Sequence, residues 1–348
     1  MSRILMHNCL KFSLILFLLQ FFQLDIVAQG SKTKKPLFPP NPEADAIVSR
    51  HASKYGGQLA VMATKDSQLV YQKNLGDFNV NTQVQVGAMS SWFTAALVMQ
   101  FVDQGKIKLD DKVSKYLPIF KQYAKGYITI RNCLMNTTGI EAEKGGIEKF
   151  FQKTKFASLE EMVNSYASKH EIHNNPGLEY YYSNMGINIA ARVVEIVGKK
   201  PFERLVMERI LRPLGMKKTN FASEVAVDPA FGATSSASDY IRFLTMLINK
   251  GTLNGKQVLS EKAVDELLKV REPGVSKLYT PAFVSGMEPT FGSWAETNGD
   301  AQPKIFISPG FFGSYAYLDL NKKLAVVIMT NKTKKEDKSE ILEIVEVL

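Results

Sequence analysis

Val86-Gly-Ala-Met-Ser-Ser-Trp-Phe-Thr-Ala95 opens a long helical pattern that runs from Ala88 to Gln104. Ala88, Trp92, Ala95, Met99 and Val102 recur at three- and four-residue spacing and mark one apolar stripe, and Gly105 stops the pattern. Just upstream, Gln58-Leu-Ala-Val-Met-Ala63 and Gln68-Leu-Val-Tyr-Gln72 read as two short strands of a hairpin around Lys65-Asp66-Ser67. Before them, Glu43 to Lys54 has helical spacing through Ala46, Ile47 and His51. Downstream, the stretch from Asp110 to Phe221 is helix-rich. Within it Phe202 to Leu211 is periodic and halts at Pro213-Leu-Gly215. Another helix is expected over Ser236 to Asn249, with Ser236 as N-cap and Asp239 in the first turn. Strands return at the end, at Lys304–Ser308, Ser314–Leu320 and Leu324–Thr330, the last two joined by a turn at Asn321-Lys322. A short helix, Ser339 to Leu348, closes the chain. Strands at both ends with helices between predict one sheet split in sequence. Its two segments cover about 43–109 and 222–348, with a helical lobe inserted over about 110–221.

The chain has 348 residues, 45% hydrophobic and 22% charged, which excludes collagen-like, disordered and low-complexity readings. The net charge of +9 is read as scattered solvated lysines. Two cysteines, Cys9 and Cys133, cannot build a disulfide framework or a four-cysteine zinc site. Arg3 and Lys11 precede the apolar run Phe12 to Leu24, and a small-residue exit follows at Ala28. That order predicts a secretory signal over residues 1–28, cleaved after Ala28. A membrane span needs about 20 apolar residues, and Asp25 stops this run short. Gln29 to Pro42, basic and Pro-rich, reads as a linker. Export to the periplasm or beyond follows. No nucleic-acid partner and no stable membrane span after cleavage are expected.

There is no G-x-S-x-G elbow, no H-E-x-x-H, no phosphate-cradling glycine loop and no dinucleotide fingerprint, so no cofactor or metal is implied. His170-Glu-Ile-His173 has i, i+3 spacing and runs into Asn174-Asn-Pro-Gly177, which reads as a strand or loop rather than a helical metal motif.

A series of local signatures in fixed order carries more information. After Val86–Ala95 come Val102-Asp-Gln-Gly-Lys-Ile-Lys-Leu-Asp-Asp111, Val113-Ser-Lys-Tyr-Leu-Pro118 and Ile128-Thr-Ile-Arg131. Leu134-Met-Asn-Thr-Thr-Gly-Ile140, Pro176-Gly177, Tyr182-Ser-Asn184, Pro213-Leu-Gly-Met216 and Ser235-Ser-Ala-Ser-Asp239 follow. Ser308-Pro-Gly-Phe-Phe-Gly-Ser314 and Val326-Val-Ile-Met-Thr-Asn331 complete the series. Together they resemble the serine β-lactamase-like family of class C β-lactamases, DD-peptidases and related esterases, over about residues 43–348. The resemblance implies an α/β fold with an antiparallel sheet flanked by helices and an inserted helical lobe.

The family's Ser-x-x-Lys places a hydroxyl and an amine one helical turn apart, so the amine helps activate the nucleophile. The matching positions here are Ala88 and Ser91, and no register shift through Ser90 restores the pair. The family's Tyr-x-Asn is retained as Tyr182 and Asn184. Its Lys-Thr-Gly or His-x-Gly is Ser308-Pro309-Gly310, so the basic residue is gone, and Pro309 also removes a backbone donor. Proline suggests that this is an edge strand. The resemblance places the oxyanion-hole amides at Ala88 and Phe311. Catalytic groups act as a unit, so loss of the nucleophile leaves little rate. The expected function is therefore a non-catalytic member whose cleft takes a peptidoglycan-type peptide or a protein partner. A hydrolase using the hydroxyls of Ser91, Ser308 or Tyr182, and a purely structural protein, are the alternatives.

Overall fold

The structure, a computed structural model, describes residues 38–141, 156–270, 275–297, 302–310, 312–332 and 339–348. The expected signal segment, residues 29–37 of the linker and Phe311 lie outside the described residues. Pro40 to Leu348 forms one compact unit.

The chain enters through helix α1, Pro42–His51, whose first turn is capped by the Asn41 side chain accepting from Ala44 N. The linker expected to run to Pro42 therefore stops short of it: proline fits the first helical turn, where its missing N–H is not needed. Strands β1 (Leu59–Lys65) and β2 (Gln68–Leu75) form the expected hairpin, with Asp66 and Ser67 both at positive φ. The remaining strands of the main sheet come from the far end of the chain. They are β3 (Glu288–Pro289), β4 (Trp294–Glu296), β5 (Ile305–Pro309), β6 (Tyr315–Asp319) and β7 (Leu324–Met329). The order is β2-β1-β7-β6-β5-β4-β3, antiparallel throughout.

Strand alternation divides the core into two layers. Ala60 and Met62 of β1, with Ala325, Val327 and Met329 of β7, face one apolar cluster. Leu59, Val61 and Ala63, with Leu324, Val326 and Ile328, face the other. The second layer is closed by α1 and by the terminal helix, Ser339–Glu346, through Ala44, Val48, Ile341 and Ile344. The first layer holds helix α2 (Ser90–Asp103), helix α3 (Met185–Gly198) and helix α4 (Ala237–Ile248).

Helix α2 differs from its expected single stripe. Every residue from Ser90 to Met99 is buried, whereas Val102, assigned to the stripe, is only half-buried. The cause is its place between layers: Trp92 and Phe93 both meet Phe243 edge-on at 5.9 and 4.8 Å, and Gln100 Nε2 donates to Val258 O at 2.9 Å. Its start also differs. Gly87–Met89 is a 3-10 turn, and the α-helix begins at Ser90 rather than Ala88. The periodic stretch Phe202–Leu211 is α-helical to Val206 and then makes a π turn over Met207–Leu211. Ser236 precedes α4 without a side-chain cap bond, because its hydroxyl pairs with that of Ser238. Asp239 accepts instead from Lys218 N and the Thr219 hydroxyl. Strand β5 is not an edge strand, since it lies between β4 and β6.

Candidate functional site

The 3-10 turn carrying Ala88 is pressed against the end of β5. Gly87 has φ +52°, and a Cβ placed there would lie 2.0 Å from the Gly310 carbonyl oxygen. A Cβ on Gly310 would in turn lie 2.7 Å from Val86 O. Only glycine at both positions permits this approach, and it brings residue 88 beside residues 308–310. Gly310 N donates to Ser314 O at 2.8 Å, so Gly310 and, two residues back, Ser308 direct their backbone groups toward β6. Pro309 points its nitrogen the other way, where the pairing with β4 ends at Ile307–Trp294. The proline sits in an internal strand, yet it forfeits no ladder bond.

The hydroxyls of the first motif are committed to backbone. Ser90, fully buried, donates to Gly87 O at 2.6 Å and accepts from Ala233 N at 2.9 Å. Ser91 donates to Ala230 O at 2.9 Å, and Thr94, one turn on from Ser90, donates to Pro229 O at 2.6 Å. These bonds lash the segment 228–233 across the start of α2. Ala88, 1% exposed, presents a methyl group where the resemblance expects a nucleophile. Ser308 is fully buried, and its Oγ lacks a well-formed hydrogen bond. It lies beside the Tyr240 hydroxyl, which donates to Met89 O at 3.0 Å and whose pKa burial pushes well up.

Tyr182 sits in the same apolar cluster as Ala88, Phe231 and Tyr315. Its ring lies 5.3 Å from that of Trp294 at an angle of 47°, and its backbone N–H donates to Tyr279 O. Asn184 Nδ2 donates to Asp228 Oδ2 at 3.1 Å, and Asp228 Oδ1 accepts from Ala230 N at 3.0 Å. Burial raises the Asp228 carboxyl pKa, while hydrogen bonds from Asn188, Ala230 N, Asn184 and Phe231 N act in the opposite sense. Tyr182 thus shares a buried cluster with Ala88, and Asn184 is tied through Asp228 to the segment that also holds Ser91. Asp228 and Trp294 escaped the sequence reading. A charged residue before proline inside Val225-Ala-Val-Asp-Pro-Ala-Phe231 is the one signal that could have flagged Asp228.

His170 and His173 lie apart from these groups. His170 Nδ1 is 3.1 Å from Glu141 O, His173 Nε2 is 3.7 Å from Glu179, and Ile172 between them bridges to Ile140. Among the described residues no three His, Cys, Asp or Glu side chains are grouped to hold a metal ion. The site therefore offers a glycine-built turn, an amide and a phenol from the Tyr-x-Asn motif, and a carboxylate, with no cation at position 91 or 308.

The sequence model of the Beta-lactamase family matches residues 47–348. The D-alanyl-D-alanine-carboxypeptidase/endopeptidase AmpH of Escherichia coli K12 is 28% identical over 203 residues, which cover 54% of this chain and 52% of the relative. Protein flp of Staphylococcus aureus MW2 is 25% identical over 173 residues, covering 47% of this chain and 34% of that protein. The chain thus spans between a third and about half of the length of these curated relatives. A Bacteroides dorei DSM 17855 protein provisionally named a beta-lactamase superposes with a TM-score of 0.77 at 23% identity, covering 87% of this chain and 97% of its own. The octameric penicillin-binding protein homologue of Pyrococcus abyssi gives 0.71 at 19% identity, covering 88% and 76%. These likenesses establish the fold.

Proposed function

Because the chain belongs to the beta-lactamase family, we propose that it is an exported, non-catalytic member that holds a peptidoglycan-type peptide in its cleft without cutting it. One observation carries this reading. The nucleophile position is a methyl group, Ala88, and the neighbouring hydroxyls of Ser90 and Ser91 are bonded to backbone carbonyls. A serine hydroxyl becomes a nucleophile when a base accepts its proton. Here the acceptors are the carbonyl oxygens of Gly87 and Ala230, which take no proton at neutral pH. Residual hydrolysis through Ser91 or Ser308 is disfavoured because the resemblance's two basic positions are themselves these serines, and the Ser91 hydroxyl is bonded to Ala230 O.

The matched carboxypeptidase/endopeptidase of E. coli supports the choice of ligand class. The apolar run and Ala exit of residues 12–28 support export, with a mature N-terminus near Gln29. The test is to incubate the purified mature protein with a muropeptide mixture and identify what co-purifies by mass spectrometry. Retention of intact muropeptides is expected. Recovery of trimmed products would overturn the non-catalytic reading, and retention of nothing would overturn the binding reading. N-terminal sequencing of the exported protein checks localisation, and an intact Met1 would contradict it.

A further inference from the structure

We propose that a cavity between residues 136–141 and the short strand Glu179–Tyr181 is a second binding site, separate from the cleft, for a small organic cation on an apolar stem. The inference goes beyond the cleft reading and does not depend on it. The cavity has a volume of about 180 Å³. A cavity of about 150 Å³ is enough to hold benzene, so this one has room for a single ring or a short aliphatic chain.

Two short strands build one wall. Glu179–Tyr181 runs parallel to Ser276–Tyr279, with a register shift after Tyr180 that leaves Leu278 as the extra residue. Successive side chains of a strand point to opposite faces. Tyr180 and Tyr182 turn into the buried cluster that holds Ala88, whereas Glu179 and Tyr181 line the cavity. None of the described residues lining it comes from the Ala88 turn, from β5 or from the segment 228–233. The opposite wall is fixed by backbone. Tyr181 N donates to Asn136 O at 3.0 Å, His173 N to Gly139 O at 2.8 Å, and Glu141 N to Glu171 O at 2.8 Å. Gly139, at φ +72°, takes no side chain, because a Cβ would lie 2.0 Å from Asn174 O. The cavity is thus preformed, as small-molecule sites usually are.

The lining sets the charge of the ligand. It carries two carboxylates, Glu141 and Glu179, and its described residues include no lysine or arginine. Its one basic group is His173, whose Nε2 lies 3.7 Å from Glu179 Oε2, beyond hydrogen-bond distance. Lys277, on the neighbouring strand, is committed to Glu288 Oε1 at 2.6 Å and to Met287 O. The Glu179 side chain is 21% exposed, so solvent screens it less than a surface carboxylate. Beside it the Tyr181 ring, packed on Tyr279 at 5.3 Å, and the exposed Leu278 supply aromatic and apolar surface. Ring faces attract ammonium and guanidinium groups, and carboxylates make their strongest hydrogen bonds to charged donors. A cation on a short apolar stem meets both features, whereas a carboxylate or phosphate is repelled. The chain as a whole carries +9, so attraction of a small cation reports this locality and not a general property of the protein.

The test titrates benzylamine, its neutral isostere benzyl alcohol, and benzoate into the purified chain at neutral pH, reads affinity by calorimetry and locates binding by two-dimensional NMR. Benzylamine is expected to bind about tenfold tighter than benzyl alcohol, with shifts at residues 136–141 and 179–181, and benzoate is expected to leave those residues unshifted. Glu179→Gln should cut the preference for the amine to within about twofold. Glu208→Gln, which removes a carboxylate outside the cavity, should leave it unchanged. If Glu179→Gln does not fold, Glu141→Gln at an exposed position carries the same test. Equal affinity for amine and alcohol, benzoate shifts at the cavity, or amine shifts confined to Tyr182 and Asn184 overturn the inference. Failure of all three probes to bind overturns it as well. None of these outcomes bears on the cleft, whose muropeptide experiment reads separately.

Discussion

Ser90→Ala should destabilise the protein without touching any activity, because Ser90 is a structural bridge. The fully buried hydroxyl joins Gly87 O at 2.6 Å to Ala233 N at 2.9 Å. Alanine fills nearly the same space, so cavity formation contributes little. The Gly87 carbonyl keeps a partner, since Ser90 N also donates to it. Ala233 N does not: it lies in a fully buried residue and loses its acceptor. An orphaned buried N–H costs about 1–3 kcal/mol, and the lost O–H bond adds about 1 kcal/mol more, giving roughly 2–4 kcal/mol. For a domain of this size that corresponds to a fall of roughly 3–6 °C in Tm. Ser91→Ala removes only one bond to a carbonyl, Ala230 O, and should cost about 0.5–1.5 kcal/mol. Scanning fluorimetry and urea titration of both variants give the ranking. A Ser90→Ala Tm within about 1 °C of the parent, or a ranking with Ser91 first, would refute the assignment of these hydroxyls as struts.

Gly87→Ala should prove still more disruptive, because it adds strain at φ +52° to a Cβ 2.0 Å from Gly310 O; a loss above about 2 kcal/mol by urea titration is expected. The Glu208 carboxyl is held down at about 2 by hydrogen bonds from Lys200 and Arg204. Its contribution is therefore complete above the ordinary glutamate range and is lost as pH falls from about 4.5 toward 2. Glu208→Gln should flatten the dependence of Tm on pH across that window and leave it unchanged above it. Restoring Ala88→Ser, Ser91→Lys and Ser308→His together should recover detectable acylation by a fluorescent penicillin, while each single change fails. The glycine-packed contact keeps the Ala88 turn against the end of β5, which carries residue 308. A folded triple variant without adduct would mean that the cleft itself has been remodelled.

The parts of this fold that were legible are those built from local pattern. Strands β1, β6 and β7 are largely apolar runs bounded by turn residues, and each, with β2 paired beside β1, forms close to where it is expected. Strands β3 and β4, two and three residues long, are too short to leave a pattern, so β5 looked like an edge and Pro309 like its marker. The apolar stripe of α2 understates its burial, because Ser90, Ser91 and Thr94 are polar by residue type yet buried. Each of those hydroxyls instead finds a backbone carbonyl and is buried. The motif positions Ala88, Tyr182, Asn184 and Ser308 could be placed from their order along the chain. Asp228 could not, because its meaning comes only from a contact with Asn184, 44 residues away.

The proposal that the chain does no acyl chemistry is tested most directly by intact-mass spectrometry of the purified chain after incubation with penicillin, run beside hydrolysis of a chromogenic cephalosporin. With a methyl group at Ala88 and the hydroxyls of Ser90 and Ser91 bonded to Gly87 O and Ala230 O, the expected result is an unshifted mass and no cephalosporin turnover. A mass increase of one β-lactam, mapped by peptide fragmentation to Ser90 or Ser91, would contradict the account.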